Sequence, residues 1–347
     1  MTDIELPDRL RDGARAAWYR YLGLVEPIRP ALHRYCRGLT GDLWDAEDLV
    51  QDTLLRGFGV MGSVHQPIRN PRAYLTRTAT NLWLDTVRRR RTEATALEAG
   101  MRGRPEGAPP RADPLEVRDA GAALLERLSP QERCALLLKD VFDMPLDEIA
   151  QVLGTTVGAV KAALHRGRGR LREPEKAEEM RRPQPSPALV ERFVECMRSS
   201  DLPGLLALML DSGSIEVPGS LLELGRAEFE REGSWLWQSC HVHPELPKKL
   251  RPKKWEAEAA VFRGEPVMLS FSRDEGGERR LQSITRFEEH EERIARVRAY
   301  YFCPETLQVV AEELGVPLGP TLYRLPLWMA ENRRETQPGD DPSQSPG

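Results

Sequence analysis

"LDEIAQVLGTTVGAVKAALHRGRGRLRE", residues 146–173, divides at a glycine into two short stretches of helical period. Ala150 is small where two helices would cross, Gly154 suits the turn, and Thr155 or Thr156 caps the second helix. Val160 and Leu164 then face the first helix, so the stretch reads as a helix–turn–helix. Its second helix carries Lys161, Arg166, Arg168 and Arg170, with Arg172 just beyond, and meets no carboxylate before Glu173. Such a helix suits a polyanion, each phosphate contact steepening the salt dependence of binding by about 0.9 in log–log slope. The plain structural alternative is a solvated helix end, where the dipole favours arginine.

Upstream, Ser129-Pro130-Gln131-Glu132 forms a capping box with proline at the first helical position, and Leu136, Leu137 and Val141 follow on that helix. Residues 92–114 lack apolar periodicity and are rich in Gly, Pro and Ala, and residues 173–187 are charged and proline-broken; both stretches read as linkers. They divide the chain into a first part over 14–91, a second over 115–172 and a third over 188–330, with a polar tail at 331–347 that reads as disordered.

In the first part, "LWDAEDLVQDTLLRGF" repeats Leu43, Ala46, Val50, Leu54 and Phe58 at helical spacing, which leaves Asp45, Glu47, Asp48 and Asp52 as an acidic face. After a Gly/Pro loop over 59–71, "RAYLTRTATNLWLDTVRRRR" lines Leu75, Ala79 and Leu82 along one stripe and Tyr74, Arg77, Asn81, Asp85 and Arg88 along another. Aromatic rings beside a basic track such as Arg88–Arg91 are how unpaired bases are held, and Trp83 is either such a ring or core.

The third part is mixed. "ALVERFVECMRSSDLPGLLALML" reads as two helices and "SIEVPG" as a short strand, while "AEAAVFRGEPVMLSFS", "RRLQSITRFEE" and "ERIARVRAYYF" alternate with period two around the turn "RDEGGER". Helices first and a curved antiparallel sheet after is an α+β plan.

Composition sets limits. The 347 residues, 40% hydrophobic and 30% charged, belong to a multidomain globular protein, and no apolar run reaches the roughly 18 residues of a membrane helix. The opening MTDIELPDRLRDG is polar and acidic, unlike a signal peptide, so a cytoplasmic location with no membrane partner is expected. Five scattered cysteines without a Cys-x-x-Cys pair suit reduced thiols. The formal charge of −4 means that attraction to nucleic acid comes from local clusters.

Three segments, "DAEDLVQDTLLRGF", "PRAYLTRTATNLWLDTVRRRR" and "LSPQERCALLLKDVFDMPLDEIAQVLGTTVGAVKAALHRGRGRLRE", resemble regions two and four of the bacterial RNA polymerase sigma factors. The likeness is to the extracytoplasmic-function (ECF) group of the sigma-70 family, and it covers about half the chain. It implies two all-α helical sigma domains, core RNA polymerase and promoter DNA (duplex and melted strand) as partners, promoter-specific initiation without catalysis, and no cofactor. By that resemblance Asp45, Glu47, Asp48, Gln51 and Asp52 dock on the clamp helices of the polymerase's largest subunit. Tyr74, Arg77, Asn81, Asp85, Arg88 and Arg89, with the loop 59–71, take the melted minus-ten element. Thr156, Val157, Lys161, His165, Arg166 and Arg168 meet the minus-35 duplex. The linker 92–114 then threads toward the RNA exit path. Relatives carry Ser-Arg where this chain has Ala162-Ala163, so base readout moves to Lys161, His165 and Arg166 or to apolar contact with thymine methyls. Thr80 likewise replaces a common arginine.

"FVECMRSSDLPGLLALMLDSGSIEVPG" and "ERIARVRAYYFCPETL" resemble the SnoaL-like cones, which implies a C-terminal domain that tunes activity and holds a small-molecule ligand. The Asp-Gly-Gly-Gly-Lys stretch of similar extensions meets only Asp274-Glu275-Gly276-Gly277-Glu278. An enzymatic alternative, a DNA-binding regulator fused to a small-molecule cyclase or isomerase, would need Asp211, Glu216, His241 or His243 as acid or base. Cys240, His241 and His243 raise a metal question, with structural or surface histidines as the plain reading.

Overall fold

A computed structural model describes residues 8–61, 68, 70–100, 128–171, 184–240, 255–274 and 276–323. The chain forms two compact units that divide between Arg181 and Arg182.

The first unit is helical: α1 (Asp8–Val25), α2 (Arg29–Thr40), α3 (Leu43–Met61), α4 (Pro71–Gly100), α5 (Pro130–Leu136), α6 (Leu146–Leu153) and α7 (Val157–Arg170). Local chemistry marks the ends. Gly41 terminates α2 in the left-handed region at φ 75°, and the Asp42 carboxylate accepts the Trp44 and Asp45 amides at 2.9 and 2.8 Å to start α3. The expected capping box is present at α5, where Ser129 Oγ accepts the Glu132 amide at 3.4 Å and Glu132 accepts the Ser129 amide at 3.0 Å. Gly154, at φ 60°, makes the turn between α6 and α7, and the Thr156 hydroxyl accepts the Ala159 amide at 3.2 Å.

Two boundaries differ from the sequence expectation. A linker expected from residue 92 is helical to Gly100, because α4 meets no proline or glycine between Arg91 and Gly100 and runs on through Ala, Glu and Leu. The helix read from Pro130 on through Val141 is α-helical only to Leu136: the backbone widens to a π-turn over Leu137–Val141, in which Leu138 is buried and Val141 exposed. The rest of that linker, most of 173–187 and the tail lie outside the described residues.

The first two parts, separate in the sequence reading, contribute to one apolar core. Leu39, Val50, Leu54, Leu75 and Ala79 join Cys134, Leu138, Ile149 and Val160 in it. Tyr35 of α2 meets Phe142 edge to face at 5.6 Å, and its hydroxyl lies 2.7 Å from the Thr80 hydroxyl on α4. Gly38 lets α2 approach so closely that a Cβ there would lie 2.6 Å from Leu137. Between these helices Arg133 donates to the Leu39 carbonyl at 2.7 Å, and its guanidinium sits 5.4 Å from the centre of the Trp83 ring.

The second unit begins with α8 (Pro187–Ser199) and α9 (Leu202–Leu208), capped by Ser186 and Asp201. Strands β1 (Met209–Val217) and β2 (Leu221–Leu224), short helices α10 (Arg226–Glu230) and α11 (Trp235–Cys240), strands β3 (Trp255–Phe262), β4 (Glu265–Arg273), β5 (Arg279–His290) and β6 (Arg293–Tyr300), and helix α12 (Pro304–Leu314) follow. The sheet order is β2-β1-β6-β5-β4-β3. It is antiparallel as expected except where β1 runs parallel to β6, a pair joined by no hairpin and so free of the reversal a hairpin imposes. Irregular pairing at Met209/Ser214, Ser270/Phe271 and Glu288/Glu289 bends the strands. Period-two alternation fails in β4, buried at every position from Pro266 to Phe271, because both sheet faces are covered. Met268, Thr285 and Ala299 lie side by side on the face shared with Phe193, Leu205 and Leu236, and Leu269, Ile284 and Tyr300 on the face beside α12.

Replacing Arg133 by alanine leaves the buried Leu39 carbonyl without this donor. Urea denaturation should show a loss of about 1–3 kcal/mol, the cost of an unsatisfied buried polar group. A loss confined to a few tenths would mean that Arg133 does not bridge the two helical parts.

Candidate nucleic-acid and protein interface

The acidic helix α3 presents fewer carboxylates than its sequence promises. Glu47 is completely buried, ion-paired with Arg29, 3.8 Å from His33 Nε2, and accepts from Gln51 Nε2 at 2.7 Å. This corrects its placement on a docking face: spacing put Glu47 among the surface acids, but Arg29 at the start of α2 draws it inward, and a buried charge must be paired. Asp45 lies mostly covered, 3.6 Å from Arg90. Asp48 and Gln51 are half-buried and Asp52 is exposed. Leu55, one turn further on the same stripe, is 55% exposed. The sequence reading missed it; an apolar residue off the Leu43–Phe58 stripe was the available signal.

On α4, Arg77, Asn81, Asp85 and Arg88 are exposed along one stripe, as expected, with Arg88 bonded to Asp85 at 2.9 Å and Arg89 exposed beside it. Tyr74 is half-buried against the core and Trp83 is buried beneath Arg133, which decides between the two readings of that ring. Thr80, buried, donates to the Thr76 carbonyl at 2.7 Å and contacts Tyr35, leaving no room there for an arginine. Residues 62–67 and 69 of the expected loop lie outside the described residues.

Helix α7 has two charged edges with different partners. Val157, Lys161, His165 and Arg168 are exposed at spacings of four, four and three, which puts them on one stripe. Arg166 and Arg170 turn the other way, onto the buried carboxylate of Glu132, with Arg166 Nε 3.0 Å from Oε1. Arg166 therefore holds α7 to α5 and leaves the expected base-facing set, and Thr156 is committed to its cap. Of the two alanines that replace Ser-Arg, Ala162 faces outward and Ala163 is buried. Gly167 permits this packing, since a Cβ there would meet Leu136 at 2.6 Å. Beside the exposed stripe a cleft of about 410 Å³ opens, with Leu146 and Leu164 in its lining and Lys139, Lys161, His165 and Arg168 around it.

Burial pushes the Glu132 carboxyl up, but the Ser129 amide and hydroxyl and the two arginines outweigh it and hold the group below the usual glutamate value. In the second unit, Asp211 is exposed and Glu216 accepts from Arg296 at 2.7 Å and Arg298 at 3.0 Å on the sheet face away from Phe193 and Leu236. Neither stands as an inward acid or base. Burial raises the Cys240 thiol to about 11, and His241, His243 and Glu275 lie outside the described residues. Among the described residues, no three His, Cys, Asp or Glu side chains gather as a metal site, and no helix is long and apolar enough to cross a membrane.

Comparison with known proteins places the two helical stretches. Sigma-70 region 2 matches residues 24–93, and Sigma-70 region 4 matches residues 122–171. The chain is 33% identical over 234 residues to the ECF RNA polymerase sigma factor SigG of Mycobacterium tuberculosis, covering 56% of this chain and 60% of SigG. It thus spans about three fifths of that relative's length. With EcfG of Rhodopseudomonas palustris identity is 31%, over 48% of this chain and 86% of EcfG. With the RNA polymerase sigma-E factor of Streptomyces coelicolor it is 34%, over 43% and 82%. Among solved structures, M. tuberculosis SigJ aligns over 86% of this chain and all of its own, at 20% identity and a TM-score of 0.30. A putative polyketide cyclase from Xanthomonas campestris aligns over 33% of this chain and 87% of its own, at 18% identity and a TM-score of 0.22. Scores this low carry no argument about either unit.

Because the folded Glu132 value lies below the usual 4.5, its contribution is fully present above that pH and is lost as the pH falls through the folded value. Glu132→Gln should lower stability at neutral pH and flatten the acid limb of a stability-versus-pH curve. An acid limb as steep as that of the unmodified protein would contradict the assignment.

Proposed function

We propose a promoter-recognition function from one premise: the chain belongs to the ECF RNA polymerase sigma factors of the sigma-70 family. In this reading the first unit recruits core RNA polymerase to a subset of promoters and opens them by binding, with no chemistry of its own. One observation carries it: the two family matches coincide with two exposed helical stripes, Arg77–Asn81–Asp85–Arg88 and Val157–Lys161–His165–Arg168.

Each surface has a physical role. Asp48, Gln51 and Asp52, with Leu55 beside them, meet the polymerase: the carboxylates steer the encounter and the leucine supplies apolar area for the bound state. The α4 stripe combines two guanidiniums for backbone phosphates with an amide that can pair a base edge, which suits a melted strand. The α7 stripe enters the major groove. Its first exposed residues are apolar, so Val157 and Ala162 suit thymine methyls, while Lys161 and His165 supply the hydrogen bonds. The second unit tunes this activity.

Core binding is the direct test. Reversing Asp48 and Asp52 to lysine should weaken the complex with purified core polymerase at least about tenfold, or about 1.4 kcal/mol, while circular dichroism stays unchanged. Unaltered affinity would remove α3 from the interface. For the second unit, run-off transcription by the full chain and by a truncation after about residue 185 should differ in yield; equal yields would argue against a tuning role.

A further inference from the structure

The cleft beside α7 differs from an open basic surface in what lines it. Leu146, the first residue of α6, and Leu164, buried on α7, stand in the lining with Lys139, Lys161, His165 and Arg168. The lining contains no carboxylate. Its volume of about 410 Å³ falls within the roughly 300–1,000 Å³ of small-molecule sites. A phosphodiester supplies charge for the cations but no hydrocarbon for the leucines, and apolar surface left in water forgoes about 25 cal/mol per Å². A ligand that matches both parts of the lining carries an acidic head on an apolar body.

We infer that this cleft binds a small soluble amphiphilic anion, a carboxylate or sulfonate on a hydrocarbon body, in competition with duplex DNA. Lys161, His165 and Arg168 belong both to the cleft and to the exposed stripe of α7, so one occupant excludes the other. Only the competition rests on the promoter-binding reading above; the anion site itself does not. Three features favour it. Lys161 lines the cleft and pairs with no acid among the described residues, and the neighbouring leucines leave its charge less screened than in open water. Second, acids outside the lining orient the other two fixed cations: Lys139 lies 2.8 Å from Asp143, and Arg168 makes a two-pronged pair with Asp140. Exposed pairs of this kind contribute at most about 1 kcal/mol, so they place the cations without withholding them from a stronger acceptor. Third, the mouth is open at Gly169, where a Cβ would meet nothing within 4 Å, which leaves room for the ligand body to extend outward.

The probe is sodium octanoate, titrated calorimetrically into the full chain, with octanol as hydrocarbon without charge and acetate as charge without hydrocarbon. Octanoate should fill one saturable site that neither control occupies. Leu146→Ala removes apolar lining and Gly169→Glu sets a carboxylate in the open mouth; each should weaken octanoate at least about tenfold, or about 1.4 kcal/mol. Gly169→Glu should do so without loss of thermal stability, because glycine is the poorer helix former. In a second titration octanoate should displace a labelled duplex of about 30 base pairs from the unmodified chain, and Leu146→Ala should resist that displacement. No saturable octanoate binding, or binding that both variants leave unchanged, overturns the site while the promoter-binding reading stands. Equal binding of octanol overturns the anionic class. Variant-sensitive octanoate binding that never displaces the duplex overturns the competition, whereas such binding by a protein that takes no duplex supports the site and removes the promoter-binding reading. Phosphatidylglycerol vesicles are the last arm: vesicle binding that Gly169→Glu abolishes, without octanoate binding, assigns the cleft to a lipid surface and overturns the soluble ligand.

Discussion

Glu132 and Arg133 are neighbours on α5, and successive helix positions point about 100° apart, so one turn of helix reaches in two directions. Glu132 takes Arg166 and Arg170 from α7; Arg133 reaches the Leu39 carbonyl on α2 and covers Trp83 on α4. The first unit depends on this pair of contacts. One fixes the angle of α7 against α5, and the other ties α5 to α2 and α4. The capping box strengthens both, because Ser129 and Glu132 satisfy each other's backbone at the point where α5 begins.

Charge on this chain therefore has two uses that composition cannot separate. Arginines on α7 divide between a buried glutamate and the exposed surface, and carboxylates on α3 divide between a buried arginine and the more exposed face. In each helix the inward group orients the element and the outward groups remain for a partner. Burying Glu47 beside Arg29 and His33 costs solvation that pairing only partly returns, so its benefit is the relative placement of α2 and α3. The exposed stripe of α3 is smaller than its acidic run and includes Leu55, an apolar residue of the kind found at the centre of protein interfaces.

The second unit follows a different logic. Its sheet is covered on both faces, by α8, α9 and α11 on one and α12 on the other, so β4 is buried at every position from Pro266 to Phe271. Glu216 with Arg296 and Arg298 forms a charged ladder across β1 and β6, which run parallel. That pairing brings the first and last strands together and closes the order that the consecutive hairpins build from β3 to β6.

Local signals are legible in the order of residues alone: the capping box at Ser129, the Gly154 turn, the Thr156 cap, the buried stripe of α3 and the exposed stripe of α4 all follow from residue type and period, because caps and helical faces are set within a few residues. The same signals, with the motif order, suffice to mark the family. Three things required the tertiary structure. Glu47 and Arg166 look like their exposed neighbours in spacing, and only a partner 18 or 34 residues away turns them inward. Trp83 is as compatible with a base as with a core until Arg133 lies over it. Lys139 carries no mark in the residue pattern that sets it beside Arg168; the two share a cleft because α5 and α7 pack closely at Gly167. Period and capping act along the chain, whereas charge pairing and cleft shape act across it, at separations that local residue patterns do not determine.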